Sequence, residues 1–206
     1  MLECVCFRTP LLWRACLWGL LLIPAFSSAD PLSGRPASFI SNLQPLDLID
    51  QDGKVFQADS LVNHVVLFNF IYTDCASVCS LQTHVLAQVL QALPVAVREQ
   101  VRFVSVSIDP VNDTPARLAE FSRRLHADLA GWWFLTGNAP QIEQLTRRLH
   151  LLDESEAAQG SVALHRSSLW LVDKEGRMLQ RFQGDPPDKD RLIRELSQVS
   201  RMDVAR

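Results

Sequence analysis

The chain has 206 residues, a formal net charge of −3, 48% apolar residues and 21% charged residues. That balance fits one ordinary globular domain with a buried core and excludes a disordered chain, which carries fewer apolar and more charged residues. No basic excess exists to neutralise nucleic-acid phosphates, and eight glycines and eleven prolines are too few for a low-complexity chain.

In chain order, Arg8 and Arg14 precede an uncharged run from Ala15 to Phe26, and the small residues Ser27 and Ala29 suit cleavage before Asp30. This is the pattern of a secretory signal peptide over residues 1–29. The run is shorter than the roughly 20 residues of a membrane-spanning helix. A cleaved signal is therefore favoured over an uncleaved anchor that would tether the chain to a membrane. The compact apolar stretch and few arginines point to the bacterial periplasm rather than a mitochondrion. Residues 30–43 hold prolines, serines and a glycine without periodicity and read as a tether. The domain is expected over 44–200, with 201–206 as a tail.

Within the domain, Leu46–Ile49 and Val55–Gln57 flank Asp52-Gly53, a hairpin signal. Val65–Ile71 is apolar except for Asn69 and reads as a strand buried on both faces. From Val78, apolar residues recur at Leu81, Val85, Val89 and Leu93, which is helical spacing. Val101–Ile108 reads as a second strand. Thr114-Pro115 opens a helix with Leu118, Phe121 and Leu125 on one face. Trp132–Leu135 is a third strand, and Pro140 opens a helix with Ile142, Leu145 and Leu149 inward. Residues 153–164 form a polar loop. Ser168–Val172 and Met178–Phe182 make a hairpin around Gly176, and Leu192, Ile193, Leu196 and Val199 mark a closing helix. Strands alternating with helices imply right-handed crossovers and a mainly parallel α/β sheet, made mixed by the last hairpin. A thioredoxin-like layout is compatible with this order.

Cys4, Cys6 and Cys16 lie in the leader, so only Cys75 and Cys79 remain in the exported domain. They fall where the buried strand ends and the first helix begins. Sites in open α/β sheets lie at the carboxyl ends of strands. A helix N-terminus favours thiolate, and residues i and i+4 on a helix share a face. Two converging thiolates suit a redox pair or a soft metal ion such as Cu(I), which tolerates a third, nitrogen ligand. Among the five histidines, His84 points away from Cys79, and His64 starts the strand at the opposite end. His126 and His150 lie near helix ends. His165 ends the polar loop just before Ser168–Val172. Its neighbourhood to the cysteines depends on that strand running antiparallel to Val65–Ile71.

The segments FNFIYTDCASVCSLQTHVLAQV, VRFVSVSIDPVNDTPARLAEF, WWFLTGNAPQIEQL and LHRSSLWLVDKEGRMLQRF occur in this order. Together they resemble the SCO/SenC family of copper-binding proteins over roughly residues 44–200. The resemblance implies a thioredoxin-like fold with a mixed central sheet, flanking helices and an N-terminal β-hairpin extension. It implies one copper ion per chain, Cu(I) or Cu(II), held by Cys75, Cys79 and His165. It implies assistance in assembling the copper site of cytochrome c oxidase, by copper delivery or by reduction of the recipient's cysteines. The expected partner is the copper-accepting subunit of that oxidase or another copper or thiol protein. Asp109 and Asp113 match the family's acidic loop and are expected to order it. Ala76 and Ser80 stand where the family commonly has prolines, and Leu164 and Arg166 replace its usual neighbours of the histidine. The other reading of the same residues is a thiol–disulfide oxidoreductase, with Cys75 attacking and Cys79 resolving. A peroxiredoxin-like activity is a weaker third, because no supporting arginine motif is identifiable.

Overall fold

The computed structural model describes residues 38–75, 77–149 and 168–202. Strand β1 (Val65–Ile71) is the middle of a five-stranded sheet of order β3-β2-β1-β4-β5. β2 (Val101–Ser107) pairs parallel with β1, and β3 (Trp132–Leu135) parallel with β2. β4 (Ser168–Val172) runs antiparallel to β1 on its other edge, and β5 (Met178–Gln183) antiparallel to β4. The result is the mixed α/β sheet of a thioredoxin-like fold.

Alternate β1 side chains serve two apolar layers, as strand geometry requires. Val65, Leu67 and Ile71 pack with α2 (Val78–Ala92), α4 (Pro115–Arg124) and the closing helix α6 (Lys189–Ser200). Val66 and Phe68 pack with α1 (Phe39–Leu43) and α5 (Ala139–Arg148). A short helix, α3 (Val95–Arg98), links α2 to β2. The predicted cap of α4 is present. The Thr114 hydroxyl accepts from the Arg117 N–H, with Pro115 in the first turn. Asn138 and Gln141 form a reciprocal capping box at α5. Among the described residues, no helix is long and apolar enough to cross a membrane.

Two N-terminal expectations change. The hairpin around Asp52-Gly53 is reduced to a single bridge, Ile49 with Val55, and Ile49 also bridges Thr136 next to β3. Asp50 explains the short form: its carboxylate accepts from the Asp52 and Lys54 N–H groups, so the turn is built by a side chain. The stretch at 39–43, expected in the tether, is helical and belongs to the core. Ser38 caps it by accepting from the Ser41 N–H, and Phe39 and Leu43, one turn apart, are buried. Phe39 meets Phe68 edge-to-face with centroids 4.9 Å apart. Its N–H donates to the Gly176 carbonyl in the β4–β5 turn. Gly176 has a φ of +79°, and a Cβ there would lie 2.8 Å from Ser38, so the turn admits only glycine against α1.

Replacing Phe39 by alanine is expected to cost about 3–5 kcal/mol, the range for deleting a buried aromatic ring. Urea unfolding checks this, and an unchanged midpoint would place α1 outside the core.

Candidate functional site

β1 ends at Ile71, and Tyr72–Ser77 lead into α2, whose first residue is Val78. Cys79 therefore lies in the first helical turn, while Cys75 precedes the helix. The two cysteines do not share a helix face by i,i+4 spacing, as the sequence suggested. The loop folds back instead, so that the Cys79 backbone N–H donates to Cys75 Sγ at 3.3 Å. The sulfur thus occupies the anion-favouring end of α2. Both cysteines are free and buried.

Neighbouring groups hold this loop. Asp113 is 1% exposed, and its carboxylate accepts from the Thr73 N–H at 3.1 Å, the Thr73 hydroxyl at 2.5 Å and the Ser107 hydroxyl at 2.5 Å. The end of β2 and the start of the cysteine loop are tied to one buried carboxylate. Asp109 orders its own turn by accepting from the Asn112 side chain. Asp74 forms an exposed ion pair with Arg117 of α4. Ser80, where the resembling family commonly has proline, donates its hydroxyl to the Cys75 carbonyl at 3.1 Å. That contact adds a tie between the loop and α2 which a proline could not supply.

The two thiols are driven apart electrostatically. Burial pushes the Cys75 thiol up, but hydrogen bonds from the Cys79 N–H, the Cys79 thiol, the Tyr72 hydroxyl and the Ser77 N–H outweigh it. Its pKa is lowered overall. Burial pushes Cys79 up to about 12, despite a hydrogen bond from the Tyr72 backbone N–H, and the adjacent Cys75 and Asp113 charges raise it further. Donation to Cys75, followed by burial, holds the Tyr72 phenol at about 12. Tyr72, the chain's single tyrosine, was not singled out from sequence. Its position three residues before Cys75 was the available signal.

The histidines divide as follows. His84 is exposed and contacts Gln88 at 3.0 Å. His64 lies at the amino end of β1, with Nδ1 2.8 Å from the Val62 carbonyl. His126 follows α4 with a φ of 56°. His150 and His165, with Ala76, Leu164 and Arg166, lie outside the described residues. The topological condition set for His165 is met, because β4 is antiparallel to β1, with Leu169 opposite Asn69. The strand that follows His165 therefore begins at the cysteine end of the sheet. Among the described residues, no group of three histidine, cysteine or acidic side chains gathers for a metal. The donor chemistry present is a pair of adjacent free thiols, which suits a soft ion.

A paired thiol at a helix N-terminus, at the carboxyl end of the central strand, defines a thioredoxin-like dithiol protein. Comparison with known proteins narrows the class. The SCO1/SenC family model matches residues 38–201, and the chain belongs to the SCO1/SenC family. It is 30% identical over 143 residues to the SCO1 protein homolog of Bacillus subtilis, covering 69% of this chain and 74% of that one. It is 29% identical over 158 residues to a protein of Stutzerimonas stutzeri named for copper binding, covering 75% and 74%. A solved structure of BsSco, described as a member of the Sco family of cytochrome c oxidase assembly proteins with a disulfide switch, superposes with a TM-score of 0.62. It is 29% identical and covers 76% of this chain and 91% of that one.

Alkylation of the reduced chain, with Cys4, Cys6 and Cys16 changed to serine, is expected to modify Cys75 first. Its pH midpoint should fall below the ordinary thiol value of 9.0. Cys79 should resist until far more alkaline pH, and peptide mass mapping would detect the reverse order. The linked stability follows from the same shifts. Cys79 stays protonated in the folded chain, so folding stability falls as pH rises from its ordinary 9.0 toward about 12. Cys75 contributes oppositely: its stabilisation is fully present above its unfolded pKa and lost as pH falls through its lowered folded value. Asp113→Asn should cost roughly 1–3 kcal/mol, because its amide turns a donor toward donors. Chemical denaturation measures it.

Proposed function

We propose that this chain is an exported copper-binding protein that assists assembly of cytochrome c oxidase. Cys75 and Cys79 supply two sulfur ligands and His165 a nitrogen ligand for one copper ion. The observation that carries the reading is the convergence of two free thiols at the end of β1, on the side of the sheet where β4 begins. Family membership supports it, as do the copper-binding name of the Stutzerimonas relative and the oxidase-assembly description of BsSco. When bound, copper would be an exchangeable cargo passed to a partner's ligands. The chain's own part is to favour the Cys75 thiolate at the α2 N-terminus and to keep the loop fixed through Asp113. The leader pattern supports an assignment to the bacterial periplasm, free or tethered to the inner membrane, where a copper-accepting oxidase subunit would be the partner.

The unequal thiols also favour a thiol–disulfide role, and the disulfide switch described for BsSco is consistent with it. In that reading the Cys75 thiolate attacks a substrate disulfide, forming a mixed disulfide and releasing one substrate thiolate. Cys79 loses its proton to solvent and attacks Cys75 Sγ, releasing the second thiolate. Two electrons pass to the substrate, and Cys75 and Cys79 end as a disulfide. Reduction of a recipient's cysteines before copper transfer would use this step.

Titration of the reduced full chain with Cu(I) under chelator competition tests the first reading, with the leader cysteines changed to serine. One tightly held ion is expected. Cys75→Ala, Cys79→Ala and His165→Ala should each weaken it at least tenfold. Tight binding that survives His165→Ala would leave a two-sulfur site. No competitive binding by the folded, reduced protein would leave the dithiol reaction as the function.

A further inference from the structure

A line of buried polar side chains crosses the apolar layer beneath α2. Trp132 Nε1 of β3 donates to Ser105 Oγ of β2 at 2.9 Å. Ser105 donates to Asn69 Oδ1 of β1 at 2.7 Å. Asn69 Nδ2 donates to Gln82 Oε1 of α2 at 2.6 Å, and Gln82 Nε2 donates to the Gly184 carbonyl at 3.1 Å. These four side-chain residues are at most 2% exposed. The direction of every bond is fixed by the ends, since an indole N–H only donates and a carbonyl only accepts.

A line of this kind is costly to build. Each group gives up water, and a well-packed apolar set would hold the layer together as well or better. Its placement suggests what it supplies. Gln82 is three residues beyond Cys79, on the same helix face. Gly184 follows β5, whose last residue, Gln183, is paired with Ser168, the first residue of β4. One side chain therefore joins the turn of α2 that carries a site sulfur to the end of the β4–β5 hairpin that borders the site.

We infer that Gln82 is a positioning residue for the dithiol site: its amide, oriented by Asn69, clamps the first turns of α2 to the hairpin end at Gly184 and so fixes where Cys79 is presented. The inference rests on the copper-binding reading above and extends it to a residue that offers no ligand itself.

The test uses the full chain with the three leader cysteines changed to serine, reduced and titrated with copper against a chelator. Gln82→Met removes both amide bonds at similar volume. Gln82→Glu keeps an acceptor for Asn69 and turns an acceptor toward the Gly184 carbonyl. Trp132→Phe removes the far end of the line, lowers stability and leaves the clamp in place. The expected result is copper affinity about tenfold weaker in both Gln82 variants, with a shifted sulfur-to-copper charge-transfer band. Trp132→Phe should bind copper within about twofold of the parent despite its lower unfolding midpoint. Parent-like affinity and spectrum in a folded Gln82 variant would overturn the inference and reduce the line to a stabilising element. An equal loss of affinity in Trp132→Phe would overturn it as well, because the effect would then track stability. If Gln82→Met does not fold, Gln82→Glu decides alone. A parent chain that binds no copper would overturn the copper reading and this inference with it, an outcome separate from the others because it appears before any variant is compared.

Discussion

Strand β1 is the constraint on which the site depends. It has strands on both edges and apolar layers on both faces, so its carboxyl end cannot shift without disturbing two cores. The chain leaves β1 at Ile71 and must turn into α2 within a few residues. The buried Asp113 carboxylate, in the loop between β2 and α4, fixes this turn by gathering Thr73 and Ser107. The helix that follows points its free N–H groups back at the loop, and that of Cys79 donates to Cys75 Sγ. The reactive sulfur is held by the rigid centre of the domain, although it lies in a loop.

This arrangement makes the two thiols chemically unequal without a cationic partner. Cys75 receives backbone and hydroxyl hydrogen bonds that favour its thiolate. Cys79, one helical step deeper, bears mainly the cost of burial. Placing a thiol with a lowered pKa beside one with a raised pKa lets the pair take its first negative charge more readily than an ordinary thiol while resisting a second, since two adjacent thiolates in an apolar layer repel each other.

Much of this was legible in the sequence because strong local signals agreed with the fold. The unbroken apolar run of β1, the cap at Thr114, the helix start at Pro140 and the turn at Gly176 are properties of a few adjacent residues, and each appears where expected. The cysteine pair was legible for the same reason. Phe39–Leu43 was hidden because its apolar spacing covers only one turn and follows a stretch rich in proline and serine. Its helix is paid for by tertiary contacts with Phe68 and the Gly176 turn. The hairpin near Asp52 was overread because alternation cannot reveal that a carboxylate will replace strand pairing. Asn69 stood out as the single polar residue in its strand, but its partners at Ser105, Gln82 and Gly184 are long-range, and no local pattern connects them.

The same geometry sets a competition if the two sulfurs serve both roles proposed for them. Forming a Cys75–Cys79 disulfide removes two electrons and two protons, and with them both sulfur donors for a soft ion. Metal binding needs the deprotonated dithiol, whereas oxidation consumes it, so each process excludes the other at a given molecule. The sulfurs are already adjacent in the reduced chain. Oxidation therefore needs a local rearrangement of the loop and the first turn of α2, while the sheet and its two cores remain in place. The contacts bordering that turn, Ser80 on the Cys75 carbonyl and Gln82 on Gly184, are the ones whose strength would set the balance between the two states.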